Sequence, residues 1–292
     1  MKVLVTGIHS QLARSIKEAA PSFPELDVEF VGRPQLELAE PGNAASVIAD
    51  RSPEIVINAA AYTAVDKAES EPELAFRVNA DAAGEIAAAA REVGASVVQI
   101  STDYVFDGTA RSPYREDAPT GPVNVYGRSK LAGEEQVRAN NPEYLIVRTS
   151  WVYSPFGSNF VKTMLKLAVG REAIRVVDDQ TGCPTSALDL ARALLAAIAA
   201  MPKWGRTYHL AGTGSCSWAE FASKIFELSQ TRGGPAARVI GIPSVGYPTA
   251  AARPCFSVLD SSRFDNEFGI RLPDWRKSLE EVVGRLTETS SD

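Results

Sequence analysis

Near its amino end the chain reads Lys2-Val3-Leu4-Val5-Thr6-Gly7-Ile8-His9-Ser10-Gln11-Leu12-Ala13. The apolar part is typical of a buried strand, and a helical pattern follows over residues 14–20. A strand, a glycine turn and a helix start together form a binding site for dinucleotide phosphates, although an ordinary strand–helix turn is the alternative. Gly7 takes the first glycine position of that motif, and Ser10 and Ala13 take the later two. The motif permits alanine last, so the departure is Ser10, which either crowds a phosphate or offers it a hydroxyl.

Strands and helices alternate through the first half of the chain. Further strands are predicted at residues 27–31, 55–57, 97–100 and 145–148. The run Ile55-Val56-Ile57 is continuously apolar, which is typical of a strand buried on both faces. This alternation predicts an α/β fold with a doubly wound parallel (Rossmann) sheet.

The pattern becomes less regular after Pro202, which predicts a second, smaller domain. We expect a dinucleotide-binding domain at residues 1–152 and 174–200, and a smaller substrate-binding domain at residues 153–173 and 201–292. Residues 243–254 are rich in proline and small side chains and are expected to cover the substrate. Residues 287–292 are expected to fray.

Composition excludes several classes of protein. The chain has 292 residues, of which 45% are apolar and 23% charged, as in soluble globular proteins. A net charge of −6 disfavours a nucleic-acid-binding surface. No apolar run reaches the roughly 18 residues of a membrane span, and the first residues resemble a strand rather than a signal peptide. Three scattered cysteines predict reduced thiols in a cytoplasm rather than disulfides or a zinc site.

Candidate catalytic residues lie in the middle of the chain. Tyr126 and Lys130 are four residues apart, so on a helix they share one face. An ammonium beside a phenol lowers the phenol's pKa from its usual value near 10 and makes it a usable proton donor. Thr102 follows the apolar strand at residues 97–100, where its hydroxyl could hold a carbonyl beside Tyr126. A solvated pair is the alternative for Tyr126 and Lys130 when they are considered alone.

Arg33 follows the second predicted strand, whose end meets the adenine ribose in this fold. An arginine there accommodates a 2′-phosphate, which favours NADPH over NADH, although a solvated surface arginine is the alternative. His9 is expected to be an exposed loop residue. His209 alternates with apolar neighbours and is expected to be packed or hydrogen-bonded rather than catalytic.

Several longer motifs resemble one family. They are residues 58–69 (Asn-Ala-Ala-Ala-Tyr-Thr-Ala-Val-Asp-Lys-Ala-Glu), 101–108, 124–133, 159–161 and 179–185. Through them nearly the whole chain resembles the dTDP-4-dehydrorhamnose reductase family of the extended short-chain dehydrogenase/reductases. The resemblance implies hydride reduction of the 4-keto group of dTDP-4-dehydro-L-rhamnose to dTDP-L-rhamnose, the last step of dTDP-L-rhamnose synthesis, with NADPH as the favoured cofactor and NADH as the other option.

The resemblance also assigns site residues. The catalytic set is Thr102, Tyr126 and Lys130. The cofactor-binding set is Gly7, Ser10, Gln11, Leu12, Arg33, Ala59, Ala60, Ala61, Thr63, Tyr126 and Lys130. The substrate-binding set is Asp103, Tyr104, Trp151, Asn159, Gln180, Pro184 and Thr185.

Two departures from the family pattern matter. Ser10 and Ala13 replace glycines that are usual in its phosphate loop. Some members bind Mg²⁺ between subunits through an acidic residue soon after that loop, but Arg14 and Ser15 stand there, so no such metal is predicted.

The alternative functions for this chain are a sister nucleotide-sugar 4-epimerase or 4-keto reductase, and a non-catalytic regulatory subunit. The sequence does not determine the oligomeric state, and a homodimer is one option.

Overall fold

A computed structural model describes residues 1–288. The strands are β1 (Lys2–Thr6), β2 (Asp27–Val31), β3 (Ile55–Asn58), β4 (Ser96–Thr102), β5 (Tyr144–Thr149), β6 (Val152–Tyr153), β7 (Ala173–Val177), β8 (Thr181–Gly182), β9 (Thr185–Ser186), β10 (Arg206–His209), β11 (Cys216–Ser217) and β12 (Arg238–Ile242). The α-helices are α1 (Gln11–Ala19), α2 (Asn43–Arg51), α3 (Val65–Ala68), α4 (Pro72–Phe76), α5 (Ala82–Glu92), α6 (Val125–Asn140), α7 (Phe160–Ala168), α8 (Ala187–Ala199), α9 (Trp218–Gln230), α10 (Ser262–Phe268) and α11 (Trp275–Glu288).

Six strands form one sheet in the order β2-β1-β3-β4-β5-β10, and every neighbouring pair is parallel. The predicted doubly wound parallel sheet is therefore confirmed. Side chains alternate between its faces: Val3 and Val5 of β1 pack with α1 and α8, while Leu4 packs with α2 and α5. The strand order reverses between β1 and β3, and ligands of such sheets bind in the crevice at the carboxyl ends of the strands there.

A smaller unit lies beside this sheet. It pairs β7 with β12, β8 with β11 and β6 with β9. Helices α7, α9 and α11 pack against these pairs around a core that contains Tyr153, Phe221 and Trp275. The start of α9 is fixed by a capping box, in which Ser217 and Glu220 each accept a backbone N–H from the other.

The predicted domain boundaries differ from the strand pairing at two places. Strand β10 lies within residues 201–292 but adds the sixth strand to the main sheet. Strand β7 was expected in the dinucleotide-binding domain but pairs with β12 in the smaller unit. Both placements depend on pairing between strands that are far apart in the chain. The local sequence pattern does not show which strands pair.

Two further expectations concern the carboxyl-terminal residues and membrane-spanning helices. Residues 287 and 288 belong to α11, and the rest of the end expected to fray, residues 289–292, lies outside the described residues. Within residues 1–288, every helix is too short or too polar to cross a membrane.

Candidate active site

The carboxyl ends of the central strands carry a chain of buried polar side chains. The Thr6 hydroxyl donates to Oδ1 of Asn58 (2.7 Å), and Nδ2 of Asn58 donates to Oε1 of Gln99 (2.8 Å). Gln99 in turn donates to the carbonyl of Ile100 (3.0 Å). These bonds join β1, β3 and β4 at the strand-order reversal, where ligands of such sheets bind.

The turn after β1 requires glycine. Gly7 has φ +75°, and a Cβ there would lie 2.9 Å from the Cα of Ala60. Ser10 caps α1, since its Oγ accepts the N–H of Ala13 (3.1 Å). A hydroxyl also has a proton to donate, so the cap leaves Ser10 able to bind an anion at the amino end of α1. The loop thus keeps the features that a phosphate needs, despite lacking two glycines.

Gln11 and Asn159, assigned to the cofactor and the substrate respectively, bond to each other. Oε1 of Gln11 accepts from Nδ2 of Asn159 (2.8 Å) and from the Ser154 hydroxyl (2.9 Å), and its Nε2 donates to the carbonyl of Val152 (3.3 Å). Oδ1 of Asn159 caps α7 by accepting the N–H of Lys162 (3.2 Å). These two residues brace the phosphate loop against the segment that follows β5.

The predicted catalytic residues converge where β4 ends and α6 begins. Asn124 caps α6, with its Oδ1 accepting the N–H of Gly127 (2.7 Å). The half-buried Tyr126 has its phenol beside the Thr102 hydroxyl, which acts to lower the pKa of that phenol. One turn later, buried Lys130 donates from Nζ to the carbonyl of Ile100 (2.7 Å).

The pKa of Tyr126 corrects one expectation. Burial raises it to about 12, although the neighbouring Thr102 hydroxyl acts in the opposite direction. Burial also lowers the pKa of Lys130 to about 8. The expectation that Lys130 lowers the pKa of Tyr126 is wrong for this structure, because burial dominates and the amine is engaged by the carbonyl of Ile100.

A buried ion pair supports this face of α6, and sequence reasoning missed it. Glu134 accepts from Nε (2.8 Å) and Nη2 (2.7 Å) of Arg148, and from the Ser101 hydroxyl (2.6 Å). Burial raises the pKa of Glu134, but the bonds from Arg148 and Ser101 outweigh it and hold the pKa below its usual value. Tyr126, Lys130 and Glu134 recur every four residues, and that spacing was the available signal.

Asp103 was assigned to the sugar, but its side chain is buried and faces protein hydroxyls. Oδ1 accepts from the Thr102 hydroxyl (3.0 Å) and Oδ2 from the Ser150 hydroxyl (2.9 Å). Burial raises the pKa of Asp103 to about 6 despite these bonds. Asp103 therefore acts on Thr102 rather than lining an open cleft. Tyr104 lies edge-on to Tyr126, with ring centroids 5.7 Å apart.

Residues 251–253, here called the strap, cross the amino end of α6. Arg253 donates from Nη1 (3.0 Å) and Nη2 (2.6 Å) to the two carboxylate oxygens of Asp66. Nδ2 of Asn124 donates to the carbonyl of Ala252 (2.8 Å), and Arg253 interacts electrostatically with Tyr104. The strap thereby links the irregular late segment to α3 and to the Tyr104–Tyr126 ring pair.

The remaining substrate assignments fall into two groups. Trp151 stacks on Trp218, with centroids 3.4 Å apart, and stays partly exposed. Gln180, Pro184 and Thr185 are buried, and Thr185 uses its hydroxyl between the carbonyl of Cys183 and the N–H of Gly212. Thr185 is therefore placed to hold its loop rather than a ligand.

The remaining residues assigned to the cofactor differ in how exposed they are. Leu12 is buried in the core, while Ala59 and Ala61 are half-buried and Thr63 is exposed. Arg33 is 75% exposed in its side chain and lies 3.9 Å from Glu37, so it can reach an anion.

The two histidines lie as expected. His9 is exposed. His209 is buried, and its Nδ1 lies 3.0 Å from the carbonyl of Tyr114. Burial, together with Arg148, lowers its pKa to about 3 and keeps it neutral.

Comparison with known proteins gives consistent results. Residues 1–288 match the family model of the RmlD substrate binding domain. The dTDP-4-dehydrorhamnose reductase of Sinorhizobium fredii is 44% identical over 297 residues, covering 100% of each chain. The crystal structure of a dTDP-4-dehydrorhamnose reductase from Clostridium acetobutylicum superposes with a TM-score of 0.91 at 39% identity, covering 98% of this chain and 99% of that one. The enzyme from Bacillus anthracis, in complex with NADP, superposes with a TM-score of 0.90 at 38% identity, covering 97% and 99%.

Proposed function

The chain belongs to the dTDP-4-dehydrorhamnose reductase family, and we propose that it reduces the 4-keto group of dTDP-4-dehydro-L-rhamnose to give dTDP-L-rhamnose with NAD(P)H. This is the last step of dTDP-L-rhamnose synthesis. The observation that carries the proposal is the meeting of Thr102, Tyr126 and Lys130 at the sheet edge that also bears the Gly7 turn.

The residues around the Gly7 turn fit a dinucleotide. A Cβ on Gly7 would collide with Ala60, so glycine lets the turn pack against the loop after β3, and the amino end of α1 offers N–H groups to phosphate. We propose that Gly7, Ser10 and Ala60 hold the pyrophosphate and that Arg33 holds a 2′-phosphate, which favours NADPH. When bound, the reduced nicotinamide supplies the hydride.

Tyr126 is proposed to donate a proton to the ketone oxygen as negative charge develops on it. Positioned proton donors of this kind contribute typically about 10²–10⁴-fold in rate. Thr102 lies beside the phenol, and its hydroxyl is proposed to bind the same oxygen once its proton turns from Asp103 to the ketone. Lys130, one turn along α6, supplies positive charge close to the developing alkoxide.

Two alternative functions remain distinct from this one. A sister 4-epimerase would use the same three residues but retain its cofactor through each turnover, so net oxidation of NADPH separates the two. A non-catalytic subunit was suggested by the thin glycine content of the phosphate loop. The cap made by Ser10 and the turn kept by Gly7 weigh against that suggestion.

The proposal is tested by following absorbance at the nicotinamide band with dTDP-4-dehydro-L-rhamnose and each reduced cofactor. We expect stoichiometric oxidation of NADPH and formation of dTDP-L-rhamnose. Oxidation of neither cofactor would overturn the function, and a higher kcat/KM with NADH would overturn the role of Arg33.

We also propose a cytoplasmic location, which is supported by three free cysteines at positions 183, 216 and 255. Homodimer formation stays a prediction that sedimentation would test. That no Mg²⁺ is bound between subunits likewise stays a prediction from Arg14 and Ser15.

A further inference from the structure

The buried side of α6 carries small and polar residues where apolar side chains are usual. Val125 and Val137 lie near its two ends, and the buried residues between them are Gly127, Ser129, Lys130, Gly133 and Glu134. A helix on the surface of a domain normally buries an apolar stripe against the core. The middle of α6 has no such stripe, so other contacts must set its position on the sheet.

Two glycines bring α6 close to backbone without interlocking it. A Cβ on Gly127 would overlap the carbonyl oxygen of Tyr104, and a Cβ on Gly133 would overlap that of Asn79. Glycine permits this approach because it has no side chain, and for the same reason it offers no contact that resists sliding or rotation of the helix. Directional polar bonds must therefore supply that restraint.

Glu134 joins α6 to two strands at once. Ser101 on β4 and Arg148 on β5 are Cα partners in the sheet, and both donate to the Glu134 carboxylate. Hydrogen bonds to an ionised group are roughly twice as strong as neutral ones, and a bidentate arginine also fixes the direction of approach. The carboxylate therefore fixes both where α6 lies along β4 and β5 and how the helix is rotated above them.

The same contact bears on Lys130. Nζ of Lys130 donates to the carbonyl of Ile100, one residue before Ser101, and Lys130 lies one helical turn before Glu134. A rotation of α6 would move Lys130 away from this carbonyl and would carry Tyr126, on the same face, with it. The negative charge of Glu134 also favours the charged form of Lys130, against the burial that lowers the pKa of this amine to about 8.

We propose that Glu134 is a positioning residue, which holds α6 on the sheet through Ser101 and Arg148 and stabilises the ammonium of Lys130. Glu134 is fully buried, so it acts on the reaction through Lys130 and Tyr126 rather than by touching a ligand. This inference rests on the proposed function for the reaction that it serves.

The first test compares two buried serines of β4. Ser101→Ala removes one donor to Glu134 and leaves the ion pair with Arg148 in place. Ser96→Ala is the matched control, because Ser96 begins the same strand and donates to Glu143 (3.0 Å) at the end of the sheet away from the site. The kcat, the KM for each substrate and the Tm are measured for both variants.

We expect the Tm to fall in both variants, since each loses one buried hydrogen bond to a carboxylate. Ser101→Ala should lower kcat by about tenfold and keep each KM within about twofold, because a misplaced proton donor weakens the transition state more than binding. Ser96→Ala should keep its kcat within about twofold of the unsubstituted protein. A nearly normal kcat in Ser101→Ala, or an equal loss in Ser96→Ala, would overturn the positioning role.

The second test needs no turnover. Lysine with an isotope label at Cε reports the titration of each amine by NMR, and Lys130→Met identifies the Lys130 signal. Glu134→Gln removes the negative charge and keeps the shape, so the pKa of Lys130 should be lower than in the unsubstituted protein. The other ionisable groups around this part of α6 are the same in both proteins, namely Tyr126, Arg138, Arg148, Asp103 and Tyr104.

An unchanged pKa of Lys130 in Glu134→Gln would overturn the proposed action of Glu134 on that amine. Should Glu134→Gln fail to fold, the comparison of Ser101→Ala with Ser96→Ala decides the proposal. Failure of the proposed function is a separate result, because the unsubstituted protein would then not reduce the sugar while the titration of Lys130 would still respond to Glu134→Gln.

Discussion

Replacement of Asp103 by asparagine tests the account of the buried carboxylate. The raised pKa means that the folded protein holds a proton on Asp103 more tightly than the unfolded chain does. Its neutral form therefore contributes stability that is fully present below pH 3.8 and is lost as the pH rises through about 6. Asparagine is neutral at every pH and nearly isosteric with aspartic acid, so the Asp103→Asn protein does not lose this stability as the pH rises.

The magnitude follows from the two pKa values. A shift from 3.8 to about 6, at 1.36 kcal/mol per unit, corresponds to about 3 kcal/mol. We expect the free energy of unfolding of Asp103→Asn, minus that of the unsubstituted protein, to rise by that amount between pH 4 and about 7 and then to level off. Taking the difference in unfolding free energy removes the contribution of the other titrating groups, because both proteins contain them.

Urea unfolding at intervals between pH 4 and 8 measures this difference. Asp103→Asn should also change kcat, because an asparagine amide that donates to Thr102 frees the Thr102 proton, whereas the carboxylate accepts that proton. Ser150→Ala is the matched control, since it removes one donor to Asp103 and leaves the carboxyl in place. A difference in unfolding free energy that stays flat across this pH range would refute the reasoning.

Three further predictions concern the cofactor and the strap. Gly7→Ala should destabilise the protein by about 1–2 kcal/mol because φ is positive, and should abolish measurable NADPH binding through the clash with Ala60; normal binding by calorimetry would contradict the role of the turn. Arg33→Ala should raise the KM for NADPH while leaving that for NADH unchanged, and equal effects on the two cofactors in steady-state assays would count against a 2′-phosphate site. Asp66→Asn and Arg253→Lys should each lower kcat/KM, and a double-mutant cycle of urea unfolding should give a coupling of about 1 kcal/mol or less, given the partial exposure of the pair; unchanged kcat/KM in both variants would remove the strap from catalysis.

Local pattern was enough for five of the six strands of the sheet. The apolar run of β3 is buried along its whole length, as a strand covered on both faces should be. Strand β10, Arg-Thr-Tyr-His, has no such apolar run. It joins the sheet beside β5, although strands β6 to β9 and helices α7 and α8 separate the two strands in the chain. Its place is decided by pairing with β5, so periodicity could not have shown it.

The same distinction holds for the site, where sequence motifs predict some residues and tertiary contacts determine the others. The four-residue spacing of Tyr126 and Lys130 left a solvated pair as the alternative, and the longer motifs of the family resemblance were needed to predict that these two side chains act with Thr102. The pairing of Glu134 with Arg148 and the burial of Asp103 depend on tertiary contacts that no local motif records. Desolvation follows from those contacts, so the direction of the pKa shift of Tyr126 could not be read from the spacing.

The central claim is that the Tyr126 phenol delivers the proton to the ketone oxygen. The most direct test measures kcat for Tyr126→Phe alongside its Kd for NADPH. We predict a fall in kcat of about 10²-fold or more, with the NADPH affinity little changed. Turnover close to normal in that variant would contradict the account.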